Sequence, residues 1–200
     1  MKGMSKGLIA LIVVLGVAAL FGLWYVSIRN GLVEKDEVVS TAWGNVQTQY
    51  QRRADLIPNI VEVVKGYAKH ESGTFTEVIN ARSKATQMTI DPSNLTPEKL
   101  KEFQAAQGEL SQALGRLLAL QENYPELKAN EQFSELQSQL EGTENRINKA
   151  RDDFNTKVQE YNMKVRKFPS SIVAGMSGFE VKSKFEADES AQKAPKVSFD

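Results

Sequence analysis

Cysteine is missing from the chain altogether, and histidine occurs once, at His70. The first absence removes disulfides, thiolate catalysis and N-terminal lipoprotein acylation together. It leaves the compartment open, because a helical bundle needs no disulfide on either side of a membrane. The second leaves hydrolytic chemistry short of a base. A zincin helix needs two histidines four apart, and position 74 is Thr74. A nucleophilic triad needs a histidine paired with a serine or cysteine, and the pattern around His70 and Glu71 supplies no such pair. A surplus of either charge is lacking too. The 25 basic residues balance 25 acidic ones, which speaks against a bulk nucleic-acid binder. Convincing strand patterns are absent, so no Gly-rich phosphate loop follows a strand. The segment 31–37, GLVEKDE, lacks the ligand spacing of a calcium loop. Asp152 and Asp153 are adjacent, so a helix points them apart and they make a poor acid/base pair. No catalytic, cofactor-binding or metal-ligating residue is expected, and the chain is expected not to be an enzyme.

What the chain does have is one long apolar run. Residues 7–28 read GLIALIVVLGVAALFGLWYVSI, without a charge between Lys6 and Arg29. At the rise of an α-helix this run is roughly 33 Å long, enough for the hydrocarbon core of a bilayer. Leu8, Ile12, Leu15 and Leu20 typify its apolar body, and Trp24 and Tyr25 lie at its end, where aromatic rings settle among headgroups. A cleaved signal peptide is the competing reading. Its apolar stretch is normally about 7–15 residues long and ends in a small-x-small site, which Phe21-Gly22-Leu23-Trp24-Tyr25 is not. A retained single-pass anchor in the bacterial cytoplasmic membrane is therefore expected. Lys2, Lys6 and the amino terminus flank one side, and Arg29 and Lys35 the other. The small difference favours a cytoplasmic N-terminus, with the bulk of the chain extracytoplasmic. Ala18 and Gly22 form a small-xxx-small pair of a kind common in any apolar helix.

Beyond the anchor the apolar spacing alternates between four and three. Val39, Trp43, Val46, Tyr50, Arg53, Ile57, Ile60, Val64 and Tyr67 follow it, with an arginine in the middle of the seam. Gly73 is expected to interrupt this helix, and Phe75, Val78, Ile79 and Arg82 to open a second. Thr96, Pro97 and Glu98 supply a cap, a first-turn proline and a favourable charge for a third helix, with Leu100, Phe103, Leu110, Leu114 and Leu117 on one face. Pro125 stops it. A last helix is expected from 131 to 168, because Phe133, Leu140, Ile147, Phe154, Tyr161 and Phe168 recur every seven residues. Leu136, Val158 and Val165 fill between them, and Pro169 ends the run. Short connections favour antiparallel neighbours. The expected fold is all-α: a transmembrane helix followed by an elongated antiparallel bundle of coiled-coil character, with long first and last helices and an irregular C-terminal tail. The expected organisation is a tail at 1–6, the anchor at 7–28, the bundle at 29–168 and a strap or tail at 169–200.

RRADLIPNIV, 52–61, puts two arginines and a proline into the first long helix. In an up-down bundle Arg52, Arg53 and Asp55 come near Glu144, Arg151 and Asp152, and an interhelix polar network that fixes register is expected there. Pro58 deprives the Ala54 carbonyl of its helical donor, and a nearby arginine or a water can replace it. A polar ligand site at that point is the alternative.

The same stretch carries a resemblance. RRADLIPNIVEVVKGYAKHE, then ELSQALGRLLALQENYPELKAN, FSELQSQLEGTENRINKARDDFN, FPSSIVAGMSGFEVKSKFEAD and APKVSF resemble, in order, the signature blocks of the LemA family of bacterial membrane-anchored proteins. The resemblance runs from Glu37 to Phe199, with roughly 82–105 as its variable part. It implies one transmembrane helix, a mostly helical domain and no established catalytic activity; some family members are associated with forming or shaping internal bacterial membranes.

After Pro169 the tail is too apolar for plain disorder. Ile172, Val173, Met176, Phe179 and Phe185 either strap the tail to the bundle or form a contact surface for a second copy, a partner or lipid headgroups, with Lys182, Lys184, Lys193 and Lys196 favouring anionic lipid. The expected function is a non-enzymatic membrane scaffold that self-assembles and organises or shapes the membrane. The alternative is an adaptor docked on another membrane protein, such as a membrane peptidase or an envelope-stress component. Membrane lipid and further copies of the chain are the expected partners, with a membrane protein as another; nucleic acid is not.

Overall fold

The computed structural model describes residues 6–186, and Lys2, Lys193 and Lys196 lie outside them. All regular structure among these residues is helical. Helix α1 spans Lys6–Tyr67, α2 Ser72–Gln87, α3 Pro97–Ala119, α4 Pro125–Lys128, α5 Glu131–Arg166 and α6 Ser170–Ser177, with 3₁₀ turns at Pro92–Asn94 and Leu120–Glu122. The result is the expected all-α bundle behind a long apolar N-terminal helix.

The helix signals act as their chemistry dictates. Thr96 Oγ1 accepts from the Lys99 amide, and Pro97 takes the first turn of α3, where its missing amide hydrogen costs nothing. Asn130 Oδ1 accepts from the Phe133 amide at 2.9 Å and starts α5. Two boundaries differ from expectation. Gly73 lies inside α2, because α1 ends six residues earlier at Tyr67 and the chain turns through Ala68–Glu71. Phe168 lies past the end of α5 and is 77% exposed, so the seven-residue seam closes at Tyr161 and Val165.

The chain divides into two compact units. The larger holds residues 41–156 and the strap from Ser183. Within it α1 and α5 run antiparallel: Trp43 meets Phe154, Arg53 meets Glu144, and Tyr67 meets Asn130, each advance along α1 matching a retreat along α5. Helices α2 and α3 are also antiparallel, with Lys84 on Glu109 and Glu77 on Arg116. Ile57, Ile60 and Val64 of α1, Phe75 and Val78 of α2, Leu110 and Leu117 of α3, Leu127 of α4, and Phe133 and Leu140 of α5 fill a common core. Beside it, Trp43 contacts the rings of Phe103, Phe154 and Phe185 at centroid distances of 5.3, 5.4 and 5.9 Å. Its indole N–H donates to the Ile90 carbonyl at 2.9 Å, so the buried donor is satisfied.

The smaller unit holds residues up to Ser40 together with 157–182. Here too α1 and α5 are antiparallel, with Lys35 Nζ 2.7 Å from Glu160 Oε2 and the Lys164 side chain against the face of Gly31. A side chain at position 31 would only displace the flexible end of that lysine. Leu32, Val39, Val158, Tyr161, Val165, Val173 and Ala174 are its buried side chains, whereas the run from Leu8 to Leu23 is exposed throughout.

Candidate functional site

Arg53 is 1% exposed, a charge buried in the seam of the larger unit, and the local architecture is built to hold it. Its Nη1 donates to Glu144 Oε1 at 2.6 Å and to Ser111 Oγ at 2.9 Å. Nη2 donates to Gln107 Oε1 at 2.6 Å and, at 3.3 Å, to the Gln107 carbonyl. Gln107 is itself buried and passes the connection on, donating to the Ala85 carbonyl of α2. One guanidinium thus joins α1, α3 and α5 directly and α2 through an amide. Its planar fork suits this task, since two nitrogens can each address two acceptors at once. The guanidinium carbon also lies 5.2 Å from the Tyr50 ring. Burial raises the Tyr50 pKa above its ordinary value, against the pull of the Arg151 and Arg53 charges.

Of the six residues expected in this network, Arg53 and Glu144 are brought together. Arg52, Asp55 and Asp152 face solvent; Asp55 accepts from Gln51 one turn away. Arg151 turns to the strap, its guanidinium carbon 4.7 Å from the Phe185 ring centre and its Nη2 donating to the Glu186 carbonyl. Helix geometry explains the division, since Arg52 and Arg53 differ by about 100° around α1 and only one can face the seam. The residues that complete the cage, Gln107 and Ser111, were legible in principle. Gln107 occupies the seam step between Phe103 and Leu110, as Arg53 does between Tyr50 and Ile57. Two polar residues in apolar positions of neighbouring helices are a pairing signal.

The carbonyl freed by Pro58 has an arginine after all: Arg82 Nε donates to the Ala54 oxygen at 2.7 Å. An open groove of about 350 Å³ lies alongside, lined by Ile57, Pro58, Val61, Glu62, Lys65, Ile79 and Arg82.

The tail is fastened by asparagines. Asn155 donates to the Phe185 carbonyl at 3.0 Å and accepts from the Phe185 amide at 2.8 Å, while Phe185 packs on Trp43 and Phe154. In the smaller unit Asn162 does the same for Lys182, with both bonds at 2.8 Å. Each side-chain amide imitates a strand partner, pairing both backbone groups of one extended residue. Tyr161 donates to the Glu180 carbonyl at 2.9 Å, and Lys182 Nζ reaches Asp36 Oδ1 at 2.8 Å. Burial, then the nearby Asp36 and Glu180 charges, push the Tyr161 hydroxyl up to about 12. The Lys35–Glu160 hydrogen bond raises the lysine and lowers the carboxyl.

The five tail residues divide accordingly. Val173 and Phe185 are buried, Phe179 is half-buried, and Ile172 and Met176 are exposed. Of the residues expected in the anchor, Leu8, Ile12, Leu15 and Leu20 are exposed and Trp24 and Tyr25 half-buried; the Tyr25 hydroxyl lies 2.9 Å from Ser177 Oγ. His70 is exposed. Among the described residues no three histidines or carboxylates converge as a metal site would require.

Comparison with known proteins gives a consistent picture. A sequence model of the LemA family matches residues 42–199. Magnetosome protein MamQ 2 of Paramagnetospirillum magneticum is 26% identical, over 75% of this chain and 61% of the relative. Magnetosome protein MamQ of Magnetospirillum gryphiswaldense is 24% identical, over 89% of this chain and 72% of the relative. Protein LemA of Metamycoplasma hominis is 23% identical, over 86% and 74% respectively. The chain thus spans less than two thirds of the length of the first of these, and none of the names denotes an enzyme.

Proposed function

The chain belongs to the LemA family, and on that premise we propose that it is a non-enzymatic, single-pass membrane scaffold that self-assembles and organises or shapes the bacterial membrane. The observation that carries the reading is the apolar run of α1. Leu8 through Leu23 is exposed in a chain whose other long helices bury their apolar stripes, and this helix is long and apolar enough to cross a membrane. Such a surface calls for lipid. The remainder of α1 gives the bundle its seam, so one helix serves both the bilayer and the folded domain. A cage in which the Ser111 hydroxyl and the Glu144 carboxylate are both engaged by the Arg53 guanidinium suits mechanical registration. The relatives named as magnetosome proteins favour a role tied to membrane structures over a catalytic one.

Size-exclusion chromatography and negative-stain microscopy of the detergent-extracted full chain test the proposal. Assemblies well above the monomer support it, and a monomer at every concentration would sink self-assembly. Crosslinking in cells sets it against the adaptor reading: a ladder of the chain with itself fits a scaffold, and a dominant heterologous band fits an adaptor.

A further inference from the structure

Helix α6 has two apolar faces and covers only one of them. Val173 and Ala174 are buried, and Ser177, one turn beyond Val173, meets the Tyr25 hydroxyl. Ile172 and Met176, also one turn apart, form a second stripe and are 50% and 69% exposed. Phe168, just before the helix, is the most exposed large apolar residue of the described chain.

What covers this second stripe follows from its level on α1. The last turn of α5 sits beside Gly31, through Lys164, while the end of α6 sits beside Tyr25. Six residues of helix separate those points, about 9 Å along the axis. After α5 the chain therefore travels towards the apolar run, and α6 ends at the tyrosine that marks the run's boundary. At that depth Phe168, Ile172 and Met176 are where headgroups give way to hydrocarbon. Arg29, Arg166 and Lys167 are exposed at the neighbouring level, with Glu34 and Glu180 the exposed acids beside them. An apolar edge beneath a mainly basic rim fits an anionic lipid surface.

We propose that Phe168 and α6 form a second, interfacial membrane contact, with Phe168, Ile172 and Met176 immersed in the leaflet that holds Trp24 and Tyr25, and with anionic lipid preferred. The contact rests on α1 crossing the bilayer, as argued above, and is independent of self-assembly. It gives the membrane two points of hold on the smaller unit, one on α1 and one beyond α5.

The absence of native cysteine makes a direct test clean. Full-length chains carrying Ile172→Cys or Met176→Cys, each labelled with a small environment-sensitive fluorophore, are reconstituted at one chain per nanodisc. The discs contain phosphatidylethanolamine with phosphatidylglycerol, or phosphatidylcholine alone. Leu23→Cys is the lipid reference and the exposed α2 residue Asn80→Cys the aqueous one. The proposal expects brominated lipid to quench the α6 labels about as strongly as the Leu23 label, iodide to leave them largely unquenched, and both effects to be stronger with phosphatidylglycerol. Iodide quenching equal to that at Asn80, with Leu23 still quenched by lipid, overturns the contact and leaves the anchor standing. Protection that appears only at several chains per disc assigns the stripe to a second copy and also overturns it. A Leu23 label that reports water removes the anchor, and the contact with it.

Discussion

The two units solve the same packing problem with opposite allocations of charge and grease. In the larger one a full positive charge is inside, caged by Glu144, Ser111 and Gln107, and nearly every large apolar side chain is covered. Tyr67 and Ile79 are its exposed large apolar residues among those described. In the smaller unit the charged pairs, Lys35–Glu160 and Lys182–Asp36, stay partly in solvent, and the uncovered residues run from Leu8 to Leu23 and on through Val26, Val33, Met163, Phe168, Ile172, Met176 and Val181. One sequence does both. On the proposed membrane reading, the exposed apolar surface of the smaller unit faces lipid, whereas the larger unit covers such residues from water.

The sharpest way to break that comparison is to remove one large side chain from each unit. Trp43→Ala deletes the ring that three others pack on and is expected to destabilise the fold by about 3–5 kcal/mol, read as a lowered denaturation midpoint by circular dichroism. Phe168→Ser, at an exposed position, is expected to shift the same midpoint by no more than about 0.5 kcal/mol in detergent. Equal losses would mean that the smaller unit packs its apolar residues as the larger one does.

A second test targets the buried charge. Arg53→Met leaves Gln107 and Ser111 without their donor and is expected to cost about 2–3 kcal/mol. Arg53→Lys is expected to recover little of this, since an ammonium cannot reproduce the fork across two helices. Glu144→Gln keeps a neutral acceptor at the half-exposed rim and should cost only about 1 kcal/mol. A tolerated Arg53→Lys would show that charge alone, without geometry, holds the seam. Smaller still is the effect of the asparagine clasps. Asn155→Ala removes both bonds to Phe185 and should cost about 1–2 kcal/mol, with faster hydrogen exchange at the Phe185 amide and little change at Lys182. Asn162→Ala should show the reverse pattern.

Much of this was legible in the sequence, and the exceptions share a cause. The seam from Val39 to Tyr67 and the period from Phe133 to Tyr161 are readable because helix periodicity is a one-dimensional signal. The cage around Arg53 was half readable: a charge in an apolar position demands a partner, but which of Glu144, Arg151 and Asp152 provides it depends on the angular position of each around α5. The strap was less readable, because Asn155 and Asn162 are unremarkable polar residues until an extended segment lies beside them. Phe168 misled because a seven-residue count continues past Arg166, where the backbone stops being helical. For the long apolar start of α1, composition alone was enough to read a helix.

The subtlest test uses pH. The Tyr161 hydroxyl titrates at about 12 in the folded chain, against an ordinary 10.0, because burial and the Asp36 and Glu180 charges disfavour the phenolate. A raised folded value means that the native state holds its proton longer than the unfolded one does. The stabilisation is therefore complete below pH 10 and lost as pH climbs through the interval up to about 12. Ultraviolet titration of the phenolates should show a late-ionising component, and Tyr161→Phe should diminish it. Tyr50, also raised by burial but in the larger unit, should leave part of the late component in place. If Tyr161→Phe instead removes amplitude near pH 10 and leaves the late component intact, the ring is wetter than its bond to the Glu180 carbonyl implies, and the smaller unit is less closed around its strap than the larger one is around Phe185.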